Sequence, residues 1–253
     1  KILINHPSSK DFPDVVTFGF FSRKSNINRL KKAYDDIGSS TYGRGLSFHI
    51  APSNVPINFA YSFITGLLSG NSCIVRVSSK DFPQTEIISK AMREILESKD
   101  FEDLNDYISI IKYDHNTKIN DYFSALCDVR LIWGGDNTIR EIRKSELSAR
   151  SFDITFADRH SLCIIEASQY LNIDDKDKIA LDFFNDTYLF DQNACSSPRL
   201  IYWFGELETV TEAKKIFWSH LHKILNQKKY ELQTMTAIKK LETSYSAAID
   251  LNN

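Results

Sequence analysis

The chain has 253 residues, 42% hydrophobic and 25% charged, which is room for one large domain or two small ones of ordinary globular composition. A formal net charge of -2 gives no basis for binding nucleic acid or an anionic membrane surface. The apolar run FAYSFITGLL is too short to span a bilayer, and the opening KILINHPSSKDFP has no apolar core of the signal-peptide kind.

In chain order, residues 24–37 read as an amphipathic helix and LSFHIA (46–51) as a strand, broken by Pro52 and Pro56. Residues 57–68 are apolar nearly all round, as in a buried helix, and Gly70-Asn71 supplies its C-terminal cap. SCIVRV (72–77) predicts a second strand and 83–98 a helix. YISIIKY (107–113) predicts a third strand, 119–126 a helix, VRLIW (129–133) a fourth strand, and 136–144 a helix opened by Gly134-Gly135. Short apolar strands alternating with helices predict a parallel sheet covered on both faces. Residues 1–150 therefore read as a Rossmann-like, doubly wound cofactor domain with an N-terminal helical segment.

The pattern restarts after Ser151. LCIIEA (162–167) and RLIYWF (199–204) read as strands; 174–190, 209–226 and 231–249 read as helices. Residues 151–253 are thus expected to form a second, partial α/β lobe. DDKDK (174–178) is a solvated first helical turn with acids at its N-terminus.

Several residues offer chemistry beside a bland alternative. Gly134-Gly135 lies between strand and helix, where backbone amides can hold a phosphate, or it is a tight turn. It is not a G-x-G-x-x-G fingerprint. Arg76, Ser78, Ser79 and Lys80 follow a strand end and can grip a ribose 2′-phosphate, or form an exposed basic loop. Asn54, in the rigid PSNVP loop, can donate to an oxyanion or cap the next helix. Cys195, among Gln192, Asn193, Ser196 and Ser197, is a candidate nucleophile or a structural thiol. Cys73, Cys127 and Cys163 lie within or beside strands and helices and read as structural. No pair of the four has C-x-x-C spacing, so free thiols in a cytoplasmic protein are expected and a zinc site is not. His220 and His222 point to different sides of a helix, so no metal pair is expected.

IAPSNVP, LLSGNSCIVRVSS, IWGGDNTI and QNACSSPR occur in that order. The set resembles the aldehyde dehydrogenase superfamily, with its P-x-N-x-P loop, G-N-x-x-x-x-K-P-S strand end, glycine turn and G-Q-x-C nucleophile loop. W-G-G-D-x-T-I-R and Q-x-A-C-S-S-P are closer still to the acyl-CoA (fatty acyl thioester) reductases of the bioluminescence type. The resemblance covers roughly residues 46–203. It implies that Cys195 takes an acyl group as a thioester, with Asn54 and the Cys195 amide as oxyanion hole. It sets Arg76 where the superfamily has a lysine contacting the adenosine ribose, and Ser79 where NAD-selective members carry an acid. That implies NADPH as cofactor, with NAD the alternative. Gly134 and Gly135 match the turn facing the cofactor.

Two departures shape the expectation. The glutamate that directs hydrolytic water has no counterpart in ITFADRHS (154–161), where Thr155 or Phe156 stands near its place and Asp158 is a conceivable substitute. The E-x-F-G-P motif that follows the cysteine in the superfamily does not occur between Pro198 and Asn253, so a fragment of the catalytic domain is expected. The implied activity is NADPH-dependent reduction of a fatty acyl-CoA or protein-borne acyl thioester to the aldehyde. An acyl-transfer or synthetase partner and a homo-oligomer go with it. A non-catalytic acyl-binding scaffold and an aldehyde-oxidising dehydrogenase are the alternatives.

Overall fold

A computed structural model describes residues 1–35, 42–157, 159, 161–189, 192, 194–232 and 234–251. They form two compact units, 1–158 and 159–253.

The first unit opens with three helices, α1 (Ile2–Asn5), α2 (Pro13–Phe21) and α3 (Lys24–Asp35), and a 3₁₀ turn at Pro7–Asp11. Strand β1 (Leu46–Ile50), helix α4 (Asn58–Leu68), β2 (Ser72–Arg76), α5 (Pro83–Leu96), β3 (Ile108–Ile111), α6 (Thr117–Leu126), β4 (Val129–Trp133), α7 (Asp136–Ile142) and β5 (Phe152–Phe156) follow. The five strands are all parallel in the order β3-β2-β1-β4-β5. This is the doubly wound arrangement expected from the alternation, and it reverses direction between β1 and β4.

Each face of the sheet has its own core. Phe59, Ala60 and Phe63 of α4 and Ile87 and Ile88 of α5 bury against Cys73, Val75 and Val77. On the other face Phe48, Ile50 and Ile132 meet Cys127, Ile139 and Ile142. Strand β1 lies in the middle, its last four residues buried, which suits a strand covered by helices on both sides. Helix α4 ends where Gly70 takes φ +81°, a left-handed C-terminal turn in which Asn71 N–H donates to the Gly66 carbonyl at 3.2 Å.

Strand β5 moves the seam between the units. FDITF is paired along its whole length with β4, Phe152 beside Val129 through Phe156 beside Trp133. It therefore closes the first sheet, where the sequence had read the start of the second lobe. It is an edge strand, exposed at alternate positions. Arg130, 1% exposed, clamps it in place. Its Nε donates to Asp153 at 2.7 Å and its Nη2 at 3.2 Å, while Nη1 donates to Ser124 Oγ and the Ser145 carbonyl.

The second unit holds β6 (Ser161–Glu166), α8 (Ala167–Asn172), α9 (Lys176–Thr187), β7 (Pro198–Phe204), α10 (Leu207–Gln227) and α11 (Thr234–Leu251). The helix expected over 174–190 is α9, which starts where the Asp175 carboxylate accepts the Lys178 N–H; the short helix α8 ahead of it was not expected from the sequence. β6 and β7 pair in parallel, and Tyr170, Phe184, Phe217 and Leu221 form the core beside them. Leu162, Ile164, Leu200, Tyr202 and Phe204 lie exposed on alternate positions of the same two strands. No helix among the described residues is long and apolar enough to cross a membrane.

Candidate functional site

The parallel sheet dictates where a ligand goes: outside the carboxyl ends of the strands, at the reversal between β1 and β4. Each first-unit residue singled out from sequence lies on that edge. Asn54 sits in the exposed loop after β1, Arg76 ends β2, Ser78 and Ser79 follow it, and Gly134-Gly135 follows β4.

The details sharpen those assignments. Ile57, not Asn54, is the N-cap of α4, so Asn54 does not serve as that helix cap. The loop is anchored at both ends instead: Ala51 N–H donates to the Arg76 carbonyl at 3.0 Å, and Thr85 Oγ1 donates to the Pro56 carbonyl at 3.3 Å. Gly134 spends its own N–H on the Phe156 carbonyl at 3.2 Å, and a Cβ there would lie 3.0 Å from Thr138. Packing against Thr138 and pairing with β5 thus account for this glycine. Asp136 already supplies a negative charge to the first turn of α7.

Arg76 is turned toward the end of β3. Its guanidinium lies 4.8 Å from the Tyr113 ring centroid and Nη2 donates to the Tyr113 carbonyl at 3.3 Å. Its Nε is buried and has no hydrogen-bond partner among the described residues. An orphaned guanidinium donor fits an anionic ligand, because burying it unmatched costs about 1–3 kcal/mol. Beside it, Ser78 Oγ accepts the Lys80 N–H at 3.1 Å and closes a tight turn, while Ser79 and Lys80 are exposed. The acid of this loop, Asp81, is paired with Lys112, which holds its carboxyl below the usual carboxylate range. An open cavity of about 810 Å³ begins beside Ser78 and Lys80 and runs along α5 and β3 as far as Leu96 and Asn105; Arg76 and Ser79 are not among its lining residues. A cation with an unspent donor, two hydroxyls and a second exposed cation thus follow one another past the end of β2, a set whose chemistry suits an anionic ligand.

Sequence reasoning missed two features of the same edge. Trp133 and Phe156, neighbours on β4 and β5, stack with centroids 3.7 Å apart and planes within 6°. Beneath them runs a buried polar chain through Ser62 and His49 to Ser47. His49 is completely buried and its pKa is pushed down to about 4 by desolvation. A histidine inside LSFHI was the available signal, since a polar ring in a central strand must find partners.

Cys195 belongs to the second unit, on the loop between α9 and β7. Of the four cysteines it is the exposed one; Cys73 and Cys127 are buried and Cys163 is half-buried. Burial pushes the Cys73 and Cys163 thiols up and takes Cys127 to about 11. The Cys195 loop is pinned by its backbone. Ser161 Oγ donates to the Cys195 carbonyl at 2.8 Å, and the buried Ser197 donates from Oγ to the Asp186 carbonyl at 2.8 Å and from N–H to the Ala194 carbonyl at 3.0 Å. Gln192 takes φ +60° to enter the turn. Asp158 and Asn193 lie outside the described residues. Among the described residues no group of three or more metal-ligating side chains comes together.

Residues 24–246 match the family model for acyl-CoA reductase (LuxC). The long-chain acyl-protein thioester reductase of Aliivibrio fischeri is 29% identical over 173 residues, covering 64% of this chain and 33% of its own length. Long-chain acyl-protein thioester reductase 2 of Photobacterium leiognathi is 26% identical over 189 residues, covering 74% of this chain and 36% of its own. The chain spans about a third of the length of the curated relatives it matches. Betaine aldehyde dehydrogenase from Staphylococcus aureus, solved with NAD+, aligns with TM-score 0.54 and 18% identity over 72% of this chain and 34% of its own. An oxidoreductase from Marinobacter aquaeolei aligns with TM-score 0.55 and 13% identity over 74% of this chain and 36% of its own.

Proposed function

The chain belongs to the acyl-CoA reductase (LuxC) family, and on that premise we propose that its protein reduces a fatty acyl thioester to the aldehyde with NADPH, through a thioester on Cys195. The observation that carries the reading is the state of that thiol. It is the exposed member of four cysteines, on a loop held by Ser161 and Ser197 and flanked by small residues that leave room for an acyl group. The Cys195 thiolate attacks the acyl carbonyl carbon, the bond to the donor sulfur breaks, and the donor leaves as a thiolate. NADPH, when bound, supplies a hydride to the acyl carbon. The carbon–Sγ bond then breaks, its electron pair returns to Cys195, and the aldehyde departs.

By the family resemblance, Asn54 and the Cys195 backbone amide are the proposed donors to the developing oxyanion. Thr155 or Phe156 stands near the place of the water-directing glutamate. Neither a threonine hydroxyl nor an aromatic ring takes up a proton from water as a carboxylate does, so this position favours a persistent thioester that waits for hydride. Arg76, Ser78 and Ser79 would hold the ribose 2′-phosphate of NADPH, with Gly134 and Gly135 beside the cofactor. The orphaned Arg76 Nε supports that grip.

The names of the relatives support a protein-borne acyl donor, with acyl-CoA as the small-molecule equivalent. A cytoplasmic homo-oligomer completes the reading. Its test is Cys195→Ala in the full-length protein: thioester reduction by NADPH should vanish while NADPH binding persists. Retained reduction would end the covalent mechanism.

A further inference from the structure

The buried polar chain beneath the sheet edge runs in one direction. Trp133 Nε1–H is a donor alone, and it reaches Ser62 Oγ at 3.1 Å. At the other end, Ser47 Oγ–H points to the Ser72 carbonyl at 2.9 Å, with Cys73 Sγ at 3.3 Å as its second acceptor. Ser47 therefore accepts from His49, and the imidazole proton sits on Nε2, 2.8 Å away. Nδ1 is left bare and accepts the Ser62 proton across 2.8 Å. Indole, hydroxyl, imidazole and hydroxyl each spend their donor on the next group, ending on a backbone carbonyl. A second ring proton would leave Ser62 facing two donors with its own proton displaced, so the neutral ring is the form that fits.

The backbone is shaped around this chain. Ser62 and Gly66 share a face of α4 one turn apart, and a Cβ at Gly66 would lie 2.8 Å from both Cε1 and Nε2 of His49. Four apolar residues would fill the same space without any demand for matched hydrogen bonds. What the polar chain adds is a fixed indole. Trp133 is held at its edge by Ser62 and on its face by Phe156, so neither rotation nor tilt is free. It is the last residue of β4, at the point where the strand order reverses, and Phe156 remains 38% exposed.

Resting on the NADPH reading above, we infer that the Trp133–Phe156 pair is the aromatic wall that receives the nicotinamide ring, and that Ser62 and His49 are positioning residues that hold the indole for it. The strand order gives the spacing. From Arg76 at the end of β2, across β1, to the seam of β4 and β5 is two and a half strand intervals, about 12 Å. A dinucleotide gripped at its ribose phosphate by Arg76 spans that interval to bring its other ring to the seam. A flat aromatic face at that distance suits a flat aromatic ring.

The experiment is a titration of the full-length protein with NADPH, followed both by calorimetry and by tryptophan emission. The component of emission that disappears in Trp133→Phe should be the one NADPH quenches most. Trp133→Leu should weaken NADPH binding about tenfold or more, and Trp133→Phe less, since it keeps a ring but loses the tether. Ser62→Ala should shift the Trp133 emission maximum and weaken NADPH binding a few-fold, with Ser62→Thr restoring both. Thermal melting of each variant separates these effects from misfolding, and Trp133→Phe is the variant that preserves packing. If NADPH binds and Trp133 emission does not change, or if Trp133→Leu binds NADPH as the unaltered protein does, the aromatic wall is refuted and the reductase reading survives. If the unaltered protein does not bind NADPH at all, both fall together.

Discussion

Ser161, the first residue of β6, donates its hydroxyl proton to the carbonyl of Cys195 at 2.8 Å. The loop that carries the exposed thiol is thus fastened to a strand by its backbone, and the side chain is left to the solvent side. Accessibility and burial together set an order of reactivity. Under native conditions a small alkylating reagent should modify Cys195 first and Cys163 at least several-fold more slowly. Cys73 and Cys127 should react on unfolding alone, because burial both shields them and keeps them protonated. Peptide mapping of a labelling time course checks this. Equal rates for Cys195 and Cys127 would contradict it.

His49 makes stability depend on pH in a definite window. Its native pKa of about 4 lies below the value near 6.5 that the unfolded chain has. Above pH 6.5 the ring is neutral in both states and the contribution is constant. Between pH 6.5 and 4 the unfolded chain takes up a proton that the native ring refuses, so stability falls with falling pH, by up to about 3 kcal/mol. Carboxylates titrate in the same range, so the measurement is a comparison. Urea midpoints at pH 7.0, 5.5 and 4.5 should fall more steeply for the unaltered protein than for His49→Gln. Parallel curves would remove His49 from the account.

Arg130 and Asp153 make the opposite kind of buried pair, charged on both sides and bidentate. Asp153→Ala leaves a guanidinium 1% exposed with no counter-ion and frees the edge strand β5. It should destabilise the first unit by about 3–5 kcal/mol. Hydrogen exchange should show β5 amides losing protection first. Asp153→Asn keeps one acceptor for Arg130 but sets an amide N–H against the other guanidinium donor, and should fall between the two.

Arg76 separates the two dinucleotides. If its orphaned Nε meets the 2′-phosphate, Arg76→Ala should raise the NADPH KM about tenfold or more and leave the NADH value within about twofold, since a charge-assisted hydrogen bond is worth about 1.5–3 kcal/mol. A uniform loss for both cofactors would move Arg76 from phosphate recognition to a structural role on Tyr113.

How much of this could be read in the sequence follows the range of the forces involved. Strands β1 to β4 are short apolar runs between glycines, prolines and helices, and local patterning suffices for them. FDITF alternates instead, with Phe152, Ile154 and Phe156 exposed and Asp153 and Thr155 half-buried, and its pairing with VRLIW is a long-range fact that no local pattern records. Helix α8 went unread because ASQYLN follows the LCIIEA strand directly and is too short to show a helical period. At the site, motif order was enough to single out Asn54, Arg76 and Cys195. The Trp133–Phe156 stack and the Ser62–His49 chain depend on cross-strand register and on which face of α4 meets β1. Neither is written in any one segment.

The central claim is a covalent acyl group on Cys195. The direct measurement is intact-mass and peptide mass spectrometry of the full-length protein after mixing with a fatty acyl thioester in the absence of NADPH. The account predicts one added acyl mass on the peptide containing Cys195, labile to hydroxylamine, absent in Cys195→Ala, and discharged as aldehyde when NADPH is added. Reduction of the thioester by Cys195→Ala, or an acyl group found on another residue and released as aldehyde from there, would contradict it.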